Sequence, residues 1–194
     1  MPSGKKRTED LETLIFETAL RLFTEKGYFN TSVHDIQKEA NVSIGSIYHY
    51  FKNKEAIARA IYNNLISQME AAMVEIRATH HTTHDRGKAI IAYLFTLAEQ
   101  SPDKMQYMLY AIHKEFMPEE KSICSSTPFA LIREMVAEGI EQKEIRSGDP
   151  VVVSACLIGG ALRLIRLHLD CFLEKSLSSY LDELWELTWA SLKP

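Results

Sequence analysis

The chain has 194 residues, with 22 Lys plus Arg against 26 Asp plus Glu, a net charge of −4, 8 Gly, 6 Pro and 3 Cys. At this length about 70% of the unfolded surface is available for burial, and 46% hydrophobic with 25% charged residues excludes a disordered chain, while scarce Gly excludes a turn-rich β-sandwich or a collagen-like repeat. No uninterrupted apolar run nears the ~20 residues of a membrane span and no apolar stretch follows the start, so a soluble, cytoplasmic protein without a membrane partner is expected. Cys124, Cys156 and Cys171 are odd in number and lack CxxC spacing, which reads as buried reduced thiols rather than a disulfide or zinc framework.

Apolar residues recur at the 3.6-residue period almost throughout. Leu11, Leu14, Ile15, Leu22 and Phe23 form one face of a first helix that Gly27 ends. Ser32 and Asp35 match a capping box that opens a second helix to about Ala40. Ser43 to Phe51 is a third segment of two to three turns, and Asn53 caps a fourth helix running to about Thr79. The polar stretch from His80 to Asp85 leads to a fifth helix with Ile90, Ile91, Leu94 and Leu97. Ser101-Pro102-Asp103, Thr127-Pro128 and Asp149-Pro150 are cap-plus-proline starts for a sixth, a seventh (toward Gly139) and an eighth (to about Glu174), and Ser176 or Ser178 caps a ninth. No strand pattern or repeat is visible, so the expected fold is all-α with about nine helices.

The second and third helices, joined by Ala40-Asn41-Val42 and preceded by a bracing helix, have the layout of a helix-turn-helix. Ser43, Ser46, Tyr48, His49 and Tyr50 offer hydrogen-bonding groups, Gly45 and Ser46 leave room for close approach, and Lys52 and Lys54 follow at once. The stretch from about residue 10 to 61, most of all the strings from Leu14 to Tyr28, Thr31 to Ile36, Val42 to Phe51 and Asn53 to Ile57, closely resembles the N-terminal domain of the TetR family of bacterial transcriptional regulators. This resemblance implies a helix-turn-helix DNA-binding domain over residues 1–55 and an effector-binding and dimerisation domain over 56–194. It implies phosphate contacts at Thr31, Ser32, Ser43, Tyr48, His49 and Lys54, and positions on the groove floor at Gly45 and Ser46. Two departures stand out. Ile44 occupies a position that is often Lys or Arg in the family, which exchanges a guanine contact for an apolar one to a thymine methyl, and Tyr50 replaces a common His while keeping one hydroxyl donor.

Residues 1–60 hold nine basic and eight acidic side chains, a net of +1, and the remainder carries −5, so the acidity belongs to the body. Lys5-Lys6-Arg7 reads equally as a DNA-contacting arm or as a solubilising tail. In the body, Met69, Met73, Met105, Met108 and Met135 with Tyr110 and His113 suit an apolar effector site with a few orienting polar groups, although each also suits core filling. His80, His81 and His84 admit a metal reading but lack a partner ligand at zinc spacing, and a polar connection is preferred, with no metal and no cofactor. Leu157, Gly159, Gly160, Leu162 and Ile165, with Leu181, Leu184 and Trp185, suit a four-helix homodimer contact, an intrachain hairpin being the alternative. No arrangement of nucleophile, base and orienting group stands out, so no enzyme is expected. The function implied is a ligand-responsive regulator of operator DNA, a repressor released by a small apolar or amphipathic effector. An activator, and a helical carrier or enzyme with a vestigial helix-turn-helix, are the alternatives.

Overall fold

The computed structural model describes residues 4–111, 113–119 and 123–194, the side chains of 4–10 and 114 excepted, so the Lys5-Lys6-Arg7 arm lies outside the described side chains. Among the described residues there is no strand, and the helices are α1 (Gly4–Glu25), α2 (Val33–Ala40), α3 (Ile44–Tyr50), α4 (Lys54–Thr79), α5 (Thr83–Gln100), α6 (Pro102–Tyr110), α7 (His113–Phe116), α8 (Thr127–Glu141), α9 (Pro150–Leu169) and α10 (Leu181–Leu192). The all-α expectation therefore holds. The helix beyond the nine expected is α7, a single turn after the sixth.

Two compact units are present, Met1–Leu65 with Asp103–Ser122 and Ile66–Pro102 with Ile123–Pro194. In the first, α1 packs on α2 and α3, and Ile15, Leu22, Ile36, Ile47, Ile57 and Ile61 are fully buried. In the second, α9 packs against α5, α8 and α10. There Glu138 on α8 accepts from Arg77 and from Arg86 (2.8 Å), and Arg86 Nε also donates to the His80 carbonyl at 2.8 Å. Those guanidiniums stitch the α4–α5 connection to α8.

Helix ends follow local chemistry. Gly27 sits at φ +85°, the left-handed geometry that ends α1 at low cost. Thr82 caps α5 through the Asp85 N–H at 3.0 Å. α9 stops at Leu169, five residues short of the expected Glu174. Cys171 takes φ +56°, and the Cys171 and Phe172 N–H groups bond back to the His168 and Leu167 carbonyls at 3.0 and 2.9 Å, a Schellman closure. Gly139 does not end α8 either. A Cβ there would collide with the Thr83 side chain, and the turn is made by Lys143 at φ +60°.

One other expectation is corrected. All three cysteines are exposed, because Cys124 and Cys171 lie in connections and Cys156 on the outer face of α9. And α9, read as one helix, is 20 residues long with a mean hydropathy of 1.7, long and apolar enough by composition to cross a membrane, although its longest unbroken apolar run is short. Its inner residues Val153, Leu157, Ile158, Ala161 and Ile165 are buried within the second unit.

Candidate nucleic-acid interface

The α2–α3 pair is fixed from both ends by short polar side chains. Ser32 caps α2, its hydroxyl accepting from the Asp35 N–H at 3.1 Å while Asp35 accepts from the Ser32 N–H at 2.7 Å. The Ser32 hydroxyl also donates to Asp35 Oδ2 at 2.5 Å, and this bond, with that from the Ser32 N–H, holds the Asp35 carboxyl below its ordinary value. Asn41 ends α2 in the left-handed region at φ +52°, and Gln37 Nε2 donates to the Val42 carbonyl at 2.8 Å, closing the turn. Ser43 then caps α3 through the Ser46 N–H at 3.0 Å, with the two hydroxyls 2.7 Å apart.

The buried positions of α3 decide what is left outside. Ile47 is fully buried and Phe51 is 6% exposed, so the outward side presents Gly45, Tyr48 and His49, at i, i+3 and i+4, while Ile44, three residues before Ile47, is half-buried. Tyr48 is 54% exposed, too much for the core aromatic it would be in an ordinary bundle. Tyr50 is half-buried, its ring 4.9 Å from His49 and edge-on to it. An open groove beside these residues, lined by Lys52, Asn53, Arg59 and Asn63 among others, adds basic and amide groups along the start of α4. Its signal in the sequence was the 52/59/63 spacing along one side of a helix start.

One expected phosphate contact, Thr31, is corrected, and a second, Lys54, is engaged within the chain. Thr31 is 1% exposed, with its hydroxyl turned inward within donating reach of the Gly27 and Leu22 carbonyls at 3.0 and 3.2 Å. Lys54 is half-buried, and its Nζ donates to the Tyr28 carbonyl at 2.9 Å and the Thr31 carbonyl at 3.0 Å. Both side chains hold the α1–α2 connection in place.

The model of the family "Bacterial regulatory proteins, tetR family" matches residues 15–61, the segment whose geometry has just been given. Residues 15–61 are similar to the DNA-binding domain of the tetR family. YuxN, an uncharacterized HTH-type transcriptional regulator of Bacillus subtilis (strain 168), is 49% identical over 55 residues, 28% of this chain and 19% of that protein. The chain thus spans only about a fifth of that first relative in the match. YhgD, another uncharacterized HTH-type transcriptional regulator of the same strain, is 28% identical over 163 residues, 80% of this chain and 83% of that protein. The crystal structure of the transcriptional regulator FadR from Bacillus subtilis in complex with stearoyl-CoA shares the fold, with a TM-score of 0.79 at 22% identity over 92% of this chain and 98% of that one. These relatives are transcriptional regulators.

Beyond that segment, the residues expected at an effector site divide between the two units. Met105, Met108, Tyr110 and His113 fall in the first and Met69, Met73 and Met135 in the second. The five methionines are all buried, whereas Tyr110 is 47% exposed. His113 lies among rings, its centroid 4.9 Å from Tyr107, 5.2 Å from Tyr62 and 5.8 Å from Phe116. Its Nε2 has no hydrogen-bond partner among the described residues, and burial lowers its pKa to about 4. Burial and the nearby Glu55 carboxylate push the Tyr28 hydroxyl up to about 12.

The expected dimer residues also separate. Leu157, Ile165 and Trp185 are buried inside their own chain, and a Cβ on Gly160 would meet Leu184 at 2.9 Å, an intrachain approach of α9 and α10. Leu162, Leu181 and Leu184 are half-buried. Gly159 and Gly160 are exposed, and an added Cβ on Gly159 would have nothing within 4 Å. Outside the set, Val151 and Val152 are 62% and 60% exposed, and Leu187 on α10 is 68% exposed. Of the histidines, His84 accepts from Trp185 Nε1 at 2.9 Å through Nε2 and meets Asp85 at 3.0 Å through Nδ1, and His80 Nδ1 lies 2.9 Å from the Thr79 hydroxyl.

Proposed function

We propose that this chain is a homodimeric, ligand-responsive transcriptional regulator that acts in the cytoplasm as a repressor, binds double-stranded operator DNA through α2 and α3, and leaves it when a small apolar or amphipathic effector binds. The observation that carries this reading is the outer face of α3, where Tyr48 and His49 stand exposed on a helix that fixed caps hold against α1 and α2. Such a helix fits the major groove, and hydroxyl, imidazole and amide groups are suited to phosphate and base edges. Ser32, Ser43, Ser46, Tyr48, His49 and Tyr50 are the proposed polar contacts, with Ile44 and Gly45 between them.

A second copy is supported by α9. Val151, Val152, Cys156 and Gly159 leave an apolar outer face that the chain itself does not cover, and Leu187 adds to it from α10. An isologous contact there would present two reading heads to two related half-sites. For the effector, the methionine-rich interiors supply adaptable apolar surface, and the likeness to FadR in complex with stearoyl-CoA makes long-chain acyl-CoA the first class to try. The effector acts only through different affinities for the DNA-bound and free forms.

Fluorescence anisotropy with the duplex upstream of its own gene tests the reading. Specific, salt-dependent binding that stearoyl-CoA weakens is expected. Equal affinity for that duplex and a scrambled one at every salt concentration would favour a carrier with a vestigial helix-turn-helix. Specific binding that stearoyl-CoA leaves unchanged would remove that ligand class.

A further inference from the structure

We infer that His84 is a pH-sensitive latch between α5 and α10, closed on the Trp185 indole while its ring is neutral and released when the ring takes up a second proton. Its effect on the subunit contact rests on the homodimer reading above. Trp185 Nε1 donates to His84 Nε2 at 2.9 Å, so that nitrogen carries no proton, and the ring's own proton sits on Nδ1, 3.0 Å from Asp85 Oδ1. An indole nitrogen only donates and a carboxylate only accepts, so the path from Trp185 through His84 to Asp85 fixes one neutral tautomer. A second proton goes to Nε2, where it faces the indole N–H donor to donor. Trp185 is 3% exposed, its ring seated against Gly87, so the released indole N–H is left buried without its acceptor.

The groups around the ring divide on that proton. Asp85 favours it, and hydrogen bonding from His84, then from Thr82, keeps the Asp85 carboxyl below its ordinary value, so it stays charged in mild acid. The first turn of α5 opposes it, because His84 follows Thr83 there and the free N–H groups of a helix start disfavour a cation. From α10, Trp185 opposes it through its N–H, and Trp189 stands 4.9 Å away with its ring perpendicular to the imidazole. The other charges nearby are engaged elsewhere: Lys88 with Asp182 of α10 at 2.7 Å, Arg86 with Glu138 of α8 at 2.8 Å, and Glu144, ahead of α9, with the Thr83 N–H. His80 lines an open groove with Asp85 and Lys88. The His84 side chain is 43% exposed, so protons reach it from solvent, and histidine is the side chain whose charge changes near neutral pH. Trp185 seats α10 against α5 and α9, so its release acts on the helix pair whose outer face carries Val151, Val152 and Leu187.

The test follows the Trp185 indole N–H resonance of the isotope-labelled full-length protein from about pH 8 to about pH 5.5, with sedimentation velocity at both ends. Trp189→Phe tells the two indole signals apart. The Trp185 resonance should move in one step toward that of an indole without an acceptor, and the dissociation constant of the dimer should rise about tenfold, the scale of a hydrogen bond lost. His84→Gln offers an amide oxygen that accepts from the indole at every pH, so its resonance and its dimer should stay constant over that range while His113 is still present. Asp85→Asn keeps an acceptor for Nδ1 and removes the charge, which should move the midpoint of the step to lower pH. A resonance that stays still in the unaltered protein, moves equally in His84→Gln or keeps its midpoint in Asp85→Asn would overturn the latch. A moving resonance with an unchanged dimer constant would overturn its link to the subunit contact. A chain that is monomeric throughout would instead overturn the homodimer reading and leave the latch standing.

Discussion

The Lys54 ammonium donates to the Tyr28 carbonyl at 2.9 Å and stands 4.0 Å from the centre of the Tyr28 ring. With its second bond, to the Thr31 carbonyl, it ties the first turn of α4 to the connection between α1 and α2 across 26 residues of sequence. Lys54→Met would leave two carbonyls without their charged donor. We expect it to cost about 2 kcal/mol in urea unfolding, the scale of a hydrogen bond to a charged group. Operator affinity should fall as α2 loses its anchor, with the slope of log affinity against log salt unchanged. A slope reduced by about 0.9 would mean that the ammonium neutralises a phosphate instead.

His113 makes the fold sensitive to mild acid. Its pKa is lowered in the folded chain from the ordinary 6.5 to about 4 because the imidazole is buried among Tyr62, Tyr107 and Phe116. As pH falls through 6.5 the unfolded chain takes up the proton first, and the native chain follows near 4. The unfolded state therefore holds more protons in that window, and stability declines between those two values. Urea midpoints measured at about pH 7 and about pH 5 should show this decline, and His113→Phe should flatten it.

Gly87 is where α5 accepts an indole. A Cβ on it would lie 2.5 Å and 2.9 Å from two atoms of the buried Trp185 ring. Gly87→Ala should destabilise by about 1–3 kcal/mol through overpacking, despite the better helix propensity of alanine. The chain has 2 tryptophans, Trp185 and Trp189, whose rings stack with centroids 5.7 Å apart. Unfolding followed by tryptophan emission should therefore report the change directly, with an altered native spectrum and a lower midpoint.

Substitutions on α9 should separate by face. Val152→Asp places a charge on the open side and should turn a dimer into a folded monomer in sedimentation velocity. Leu157→Ala empties a site that is 2% exposed within one chain and should cost about 2–5 kcal/mol of stability. If Val152→Asp leaves the sedimentation of the dimer unchanged, the outer face of α9 is not the subunit contact.

What the sequence reveals here is what neighbours in sequence decide. The Ser32–Asp35 box, the Ser43 cap, Gly27 and Pro150 each act within one turn, so helix order could be read from residue type and spacing. The outward face of α3 was legible because Ile47 and Phe51 are the positions its period assigns to the core. Roles set by distant partners were not. The hydroxyl of Thr31 and the ammonium of Lys54 look like surface donors until the fold brings the Leu22 and Tyr28 carbonyls to them. Trp185 looked like an interface residue, and it is buried because His84, 101 positions away in sequence, accepts its N–H and Gly87 leaves room for its ring. Lys143 and Cys171 adopt left-handed conformations that composition gives no reason to expect.

The central claim is that the exposed face of α3 reads DNA. Footprinting of the protein on the DNA upstream of its own gene tests it most directly, using the unaltered chain beside His49→Ala and Tyr48→Ala. The account predicts protection of two related half-sites by the unaltered chain, and its loss in both variants while their urea midpoints stay unchanged. Equal protection by the variants, or none by the unaltered chain at low salt, would contradict it.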